Sequence, residues 1–181
     1  SILSLSFSWG QFEFNYVDSI PVFNGSSELP MPWAGGLNYA QFSDIDYDFD
    51  GDMDLLVFDR SNNQLRIFEH VQTAGVSSYR YDPKGAGWFP SEIRYRLFAI
   101  DYNGDNKKDL FTYGIGGLKV YKNSGNSTDG LSWELAKELV YSDYWGTVLN
   151  LYVSSTDIPA IIDVDNEDPP ELISEFCFLN F

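Results

Sequence analysis

Histidine and cysteine are nearly missing from this chain of 181 residues, which has only His70 and Cys177. A single cysteine excludes an internal disulfide. One histidine and one cysteine cannot supply the nitrogen and sulfur donors that zinc and copper sites take. Basic residues are scarce as well. Lys+Arg is 11 against Asp+Glu 27, for a formal net charge of −16, so the basic face a nucleic-acid partner requires is absent. No apolar run is long enough to cross a bilayer as a helix. The chain has no Gly-x-Ser-x-Gly elbow, no Walker-type loop and no dinucleotide fingerprint. His70 stands alone and reads as a structural histidine, and Cys177 as a core residue. These gaps point to a protein that binds and not to an enzyme.

What the chain does have is aromatic residues and organised acids. Aromatics make up 17%, too many for a disordered segment, and the length is enough for one core. Trp33, Trp88, Trp133 and Trp145 are expected in that core, with stacking on sugar rings as the other use of such side chains. The acids follow a ten-residue pattern. Asp46, Asp48, Asp50, Asp52 and Asp54 occupy alternate positions ahead of Leu55. Asp101, Asn103, Asp105, Lys107 and Asp109 follow the same spacing ahead of Leu110. A degraded third copy has Asp163, Asp165, Glu167 and Glu171 ahead of Leu172. Thirteen of the 27 acids lie in these three stretches, five, three and five in order. The acidity is therefore mostly local, and metal-free loops would repel themselves.

Oxygens at positions 1, 3, 5 and 9, with a backbone carbonyl at position 7, suit a hard cation. Ca²⁺ takes six to eight oxygens at about 2.3–2.6 Å, whereas Mg²⁺ prefers an octahedron with several retained waters. An EF-hand would need a bidentate Glu at position 12 between helices. Position 12 is Val57 in the first copy and Thr112 in the second. Leu55–Phe58 and Leu110–Tyr113 follow the loops, and both are strand-favouring. In the third copy longer Glu side chains and Pro169-Pro170 weaken the pattern, making it the weaker third site.

The loops begin at 46, 101 and 163, and periods of this size mark propellers or arrays. Isoleucine precedes each loop (Ile45, Ile100, Ile162) and leucine follows each (Leu55, Leu110, Leu172). A second strand is expected over Leu65–Glu69 and Leu118–Lys122, after turns at 61–63 and 114–117. A further strand is expected over Ser78–Tyr81 and Trp133–Lys137, with Leu131 to Val140 the one stretch able to form a short helix. Each unit reads as strand, calcium loop, strand, turn, strand, loop, strand. The expected fold class is all-β, with blades of four antiparallel strands.

The pattern Asp-x-Asp-x-Asp-Gly-x-x-Asp-Leu resembles FG-GAP/VCBS-type calcium-binding β-propeller repeats, whose blades also form the integrin α head. The stretch 32–38 and the phrase Leu56–Arg60 resemble secreted Bacteroidota versions. The resemblance implies side-chain ligands Asp46, Asp48, Asp50 and Asp54 with the Asp52 carbonyl. It implies Asp101, Asn103, Asp105 and Asp109 with the Lys107 carbonyl in the second loop, whose neutral Asn103 lowers the charge by one. Asn106 stands where the first loop has Gly51, and asparagine tolerates the left-handed conformation.

Residues 1–10 read as the tail of a signal peptide, cleaved between Gly10 and Gln11, with an ordinary first strand as the alternative. Residues 11–32 form an N-terminal segment with a strand around Phe12 to Val22. Residues 33–181 form the propeller repeats, with blades around 40–95, 96–156 and 157–181, the last broken after its second strand. About three blades cannot close a ring, so a partial propeller, an open stack or an oligomer is expected. The expected function is an exported calcium-binding module for surface adhesion, with an unknown protein or glycan as ligand. The alternative is a non-catalytic glycan-binding accessory of a secreted polysaccharide-degrading enzyme. Asn24 and Asn126 would accept glycans only in a eukaryotic secretory route.

Overall fold

The computed structural model describes residues 17, 20–162, 171–174 and 177–179. The chain divides into a short unit, Ser1–Trp33, and a larger one, Ala34–Phe181. In the short unit β1 (Phe23–Asn24) and β2 (Ser27–Glu28) form a hairpin. Trp33 Nε1 donates to the Ile20 carbonyl at 3.0 Å. The described residues of the expected strand at 12–22 lie outside any strand, and the hairpin begins just after it. The expected signal segment, 1–10, lies outside the described residues.

The larger unit is all-β, built from antiparallel meanders. The first sheet runs β3 (Ala40–Ile45), β4 (Asp54–Asp59), β5 (Gln64–Thr73) and β6 (Val76–Asp82) in sequence order. The second repeats that order with β7 (Leu97–Ile100), β8 (Asp109–Gly114), β9 (Gly117–Asn123) and β10 (Trp133–Lys137). The stretch that could have been helical is thus a strand, with a register shift between Leu135 and Lys137. A hairpin of β11 (Tyr141–Tyr144) and β12 (Thr147–Asn150) follows, which the sequence pattern did not foresee. A three-stranded meander of β13 (Ala160–Ile162), β14 (Glu171–Ser174) and β15 (Cys177–Leu179) comes last. It has one strand more than the two expected.

Register explains why the acidic stretches become hairpin loops. Ile45 pairs with Asp54, Ile100 with Asp109 and Ile162 with Glu171. In each case the isoleucine before position 1 faces the acid at position 9. In the first two loops eight residues must therefore turn back between them, and their odd and even side chains separate. Tyr47 and Phe49, at positions 2 and 4, pack against the core between the first two sheets. Tyr102, at position 2 of the second loop, packs against the next core. The acids between them are left to curl together on the other side.

Two apolar clusters hold the sheets. One joins Ile45, Leu56, Phe58 and Ile67 of the first sheet to Leu97, Ala99, Leu110 and Tyr121 of the second. The other packs Phe111, Leu118 and Val120 against Val140, Leu151 and Val153. Neighbouring residues Leu110 and Phe111 thus enter different cores, as alternation in a strand requires. The first strands of the two sheets, β3 and β7, are also tied directly. Leu97 N–H donates to Gln41 Oε1 at 3.2 Å and Ala99 N–H to Ser43 Oγ at 3.3 Å.

The tryptophans correct the sequence expectation. Trp133 is partly buried against Phe89. Trp33, Trp88 and Trp145 are 45%, 51% and 92% exposed, so they are not core residues. Trp145 occupies the turn between β11 and β12 with φ 53.

Leu110→Ala should cost about 2–5 kcal/mol, because Leu110 is fully buried between two sheets. Ile115→Ala, at a turn residue 90% exposed, should stay within about 0.5 kcal/mol. Urea unfolding of both variants checks the pair.

Candidate metal centre

The first acidic loop is built by its own backbone bonds. Asp46 Oδ2 accepts from Gly51 N–H at 3.2 Å, Asp48 Oδ1 from Asp50 N–H at 3.2 Å, and Asp50 Oδ1 from Asp52 N–H at 3.0 Å. Asp54 is buried, and both its oxygens are used. Oδ2 accepts from Tyr47 N–H at 2.9 Å and Oδ1 from His70 N–H at 2.7 Å. This carboxylate therefore ties the loop to β4 and to β5 at once.

The second loop reproduces these bonds position for position. Asn106 N–H donates to Asp101 Oδ2 at 2.7 Å, Asp105 N–H to Asn103 Oδ1 at 3.0 Å, and Lys107 N–H to Asp105 Oδ1 at 3.0 Å. Asp109, also buried, accepts from Tyr102 N–H at 2.8 Å and Asn123 N–H at 2.7 Å. Backbone conformation agrees as well. Position 4 is left-handed in both loops (Phe49 φ 62, Gly104 φ 72), and so is position 6 (Gly51 φ 95, Asn106 φ 63). A phenylalanine at positive φ is strained; its burial against the core holds it there.

Charge separates the two loops. Ligand atoms of Asp46, Asp48 and Asp50 all lie within 4.8 Å of one another. Burial raises the pKa of Asp46 and Asp48 above the ordinary carboxylate range, more than the loop N–H donors lower it. Asp46 Oδ1 and Asp52 Oδ1 are shielded from water and have no donor. In the second loop Asn103 replaces one carboxylate, and Lys122 Nζ stands 3.3 Å from Asp105 Oδ2. Although burial alone would raise Asp105, the Lys107 N–H, the Lys122 ammonium and the Asn103 amide together hold its pKa low. Lys107 Nζ is itself engaged, donating to the Gly125 carbonyl at 3.0 Å.

The triad of Asp46, Asp48 and Asp50 can hold a metal ion. Its donors are all oxygens, and the unsatisfied Asp46 Oδ1 leaves a buried acceptor with nothing to accept, so the residues fit a hard cation. The second loop brings its residues into the same frame but answers part of their charge with lysine. Asp163, Asp165 and Glu167 lie outside the described residues, and Glu171 is described only as the first residue of β14.

Two partners of the loops were invisible in the sequence pattern. His70 Nδ1 lies 2.7 Å from Asp52 Oδ2, so the lone histidine stands beside the acid at position 7. Lys122 reaches its loop from the end of β9. Both sit on the third strand of their sheet, and only the strand pairing reveals that this strand passes beside the loop. The chain matches no family model, no curated protein and no solved structure.

Burial pushes the pKa of Asp54 up to about 6 from 3.8. A folded value above the unfolded one means that the metal-free fold gains stability as pH falls through 6 and loses it as pH rises. Asp54→Asn removes this titration, so its stability change between pH 7 and pH 5 should be smaller than that of the natural chain. Asn also leaves one of two buried N–H groups without an acceptor, at about 1–3 kcal/mol. Thermal melts at the two pH values, in chelator, read both effects.

Proposed function

We propose that this chain is a calcium-binding β-propeller module, with the ion structural, that serves in surface adhesion or ligand capture outside the cell. The observation that carries the reading is the convergence of Asp46, Asp48 and Asp50 beside the donorless Asp46 Oδ1. A divalent ion supplies the positive charge that this loop lacks. The chain's own residues do the remainder: Asp54 joins loop to sheet, and Phe49 joins loop to core. Binding then favours the folded state over the unfolded one in proportion to ion concentration.

Repeated four-stranded meanders, joined face to face and through their first strands β3 and β7, support the propeller reading. Exported location follows from the signal-like residues 1–10 and from the abundance of calcium outside cells. A glycan-binding accessory role is the second reading, favoured by an open cleft described below.

Calcium should raise the melting temperature of the full chain, and equal magnesium should not. Asp50→Ala should remove most of that rise. Asp105→Ala should remove less, because Lys122 already answers its charge. No calcium-dependent shift in a chain that is folded by circular dichroism would overturn the metal reading.

A further inference from the structure

The ends of the sheets opposite the acidic loops hold an open cleft of about 460 Å³, a size that suits small ligands. Asn38, Tyr39, Arg60, Ser61, Tyr95 and Thr156 line it. Tyr39 and Tyr95 are 59% and 42% exposed, so their rings are available to a ligand. Between them lies Arg60, its guanidinium 5.2 Å from the Tyr39 ring centre. Arg60 Nε donates to the Tyr95 carbonyl at 2.5 Å, and Nη2 to the carbonyls of Ser155 and Thr156 at 3.3 Å each.

Tyr95 is fixed in an uncommon conformation. It has φ 66, its N–H donates to Asn63 Oδ1 at 2.7 Å, and its ring meets Tyr113 edge-on at 4.8 Å. The Tyr113 ring also faces a second guanidinium, Arg96, at 5.7 Å. Arg96 is fully buried. Its Nη2 donates to the Ser154 carbonyl, and its Nε and Nη1 have no acceptor. Among the described residues neither Arg60 nor Arg96 forms an ion pair, in a chain of net charge −16. The nearest acid acting on Arg96, Asp157, is engaged by the Ser154 N–H at 3.0 Å. A buried cation whose nearest acid is engaged elsewhere is costly, and a guanidinium N–H is a strong donor to a carboxylate.

We infer that this cleft binds an acidic saccharide, a sugar ring bearing a carboxylate. The tyrosine rings offer faces for the apolar side of the sugar. Arg60 takes the carboxylate through Nη1, since its Nε and Nη2 already donate to backbone carbonyls, with the charge of Arg96 behind it. The Asn38 amide and the Ser61 and Thr156 hydroxyls serve the ring hydroxyls. The inference rests on the binding-module reading and is independent of the metal reading, since the acidic loops lie at the other end of the strands.

Isothermal titration of the full chain in calcium, with trigalacturonate and with neutral cellotriose, tests it. Trigalacturonate should bind at least about tenfold more tightly than cellotriose, a difference of about 1.4 kcal/mol. Tyr39→Ala and Arg60→Gln should each weaken it about tenfold. Arg60 also braces backbone, so its variant is checked by melting; the exposed Tyr39 ring keeps the test decisive if that variant is unstable. Raising calcium tenfold should leave the affinity for trigalacturonate unchanged. Affinity that climbs with calcium would mean capture through calcium at the acidic loop and would overturn the inference. Absent binding, equal affinity for cellotriose, or indifference to Tyr39→Ala would overturn it too.

Discussion

The buried carboxylate that closes each acidic loop, Asp54 in the first sheet and Asp109 in the second, organises everything around it. Each accepts an N–H from position 2 of its own loop and an N–H from the third strand. A charge in the interior is tolerated only when its lone pairs are answered, and here backbone donors answer it. The consequence is geometric. Two strands and a loop share one anchor, so the loop cannot slide without breaking that bond. Asp59 plays a related part at the other end of β4. It accepts from the Asn38, Tyr39 and Ser61 N–H groups, and these donors, Asn38 and Ser61 first, hold its pKa at about 2. Strand β4 is thus fixed by a carboxylate at each end.

Much of this was legible in the sequence because it rests on spacing. Alternate oxygens, the flanking isoleucine and leucine, and the strand-favouring run after each loop correctly placed the hairpins and the four-strand order. Less legible was everything that depends on which residues meet across strands. His70 beside Asp52 and Lys122 beside Asp105 are separated from their partners by 18 and 17 residues, and no local pattern links them. The tryptophans failed as core markers because a large ring satisfies a turn or a rim as readily as an interior. The hairpin at β11 and β12 escaped notice because Ser142 to Val148 lacks the period-2 apolar alternation that marks a half-buried strand.

The two loops show how one frame can carry different electrostatics. Their backbone bonds and left-handed positions coincide, yet one leaves carboxylate oxygens unanswered and the other recruits lysine. Where a cation's work is done by Lys122, a neutral Asn103 suffices. Divergence of this kind alters ion affinity without altering the fold, since only side-chain ends differ. The same separation holds between the two ends of the strands, acidic at one and arginine-bearing at the other.

Phe49 links these layers in a further way. Its ring tip comes within 2.9 Å of the point where a Cβ on Gly125 would stand, so a residue of the first sheet's acidic loop is lodged under a turn of the second sheet. Asp48 and Asp50 flank that residue directly. Mechanical load that parts the two sheets would withdraw Phe49 and spread its neighbouring carboxylates. An ion held by them would resist that motion, acting as a rivet placed beside the seam it secures. Tension and ion occupancy would then be opposed quantities, each readable from the other in a pulling experiment.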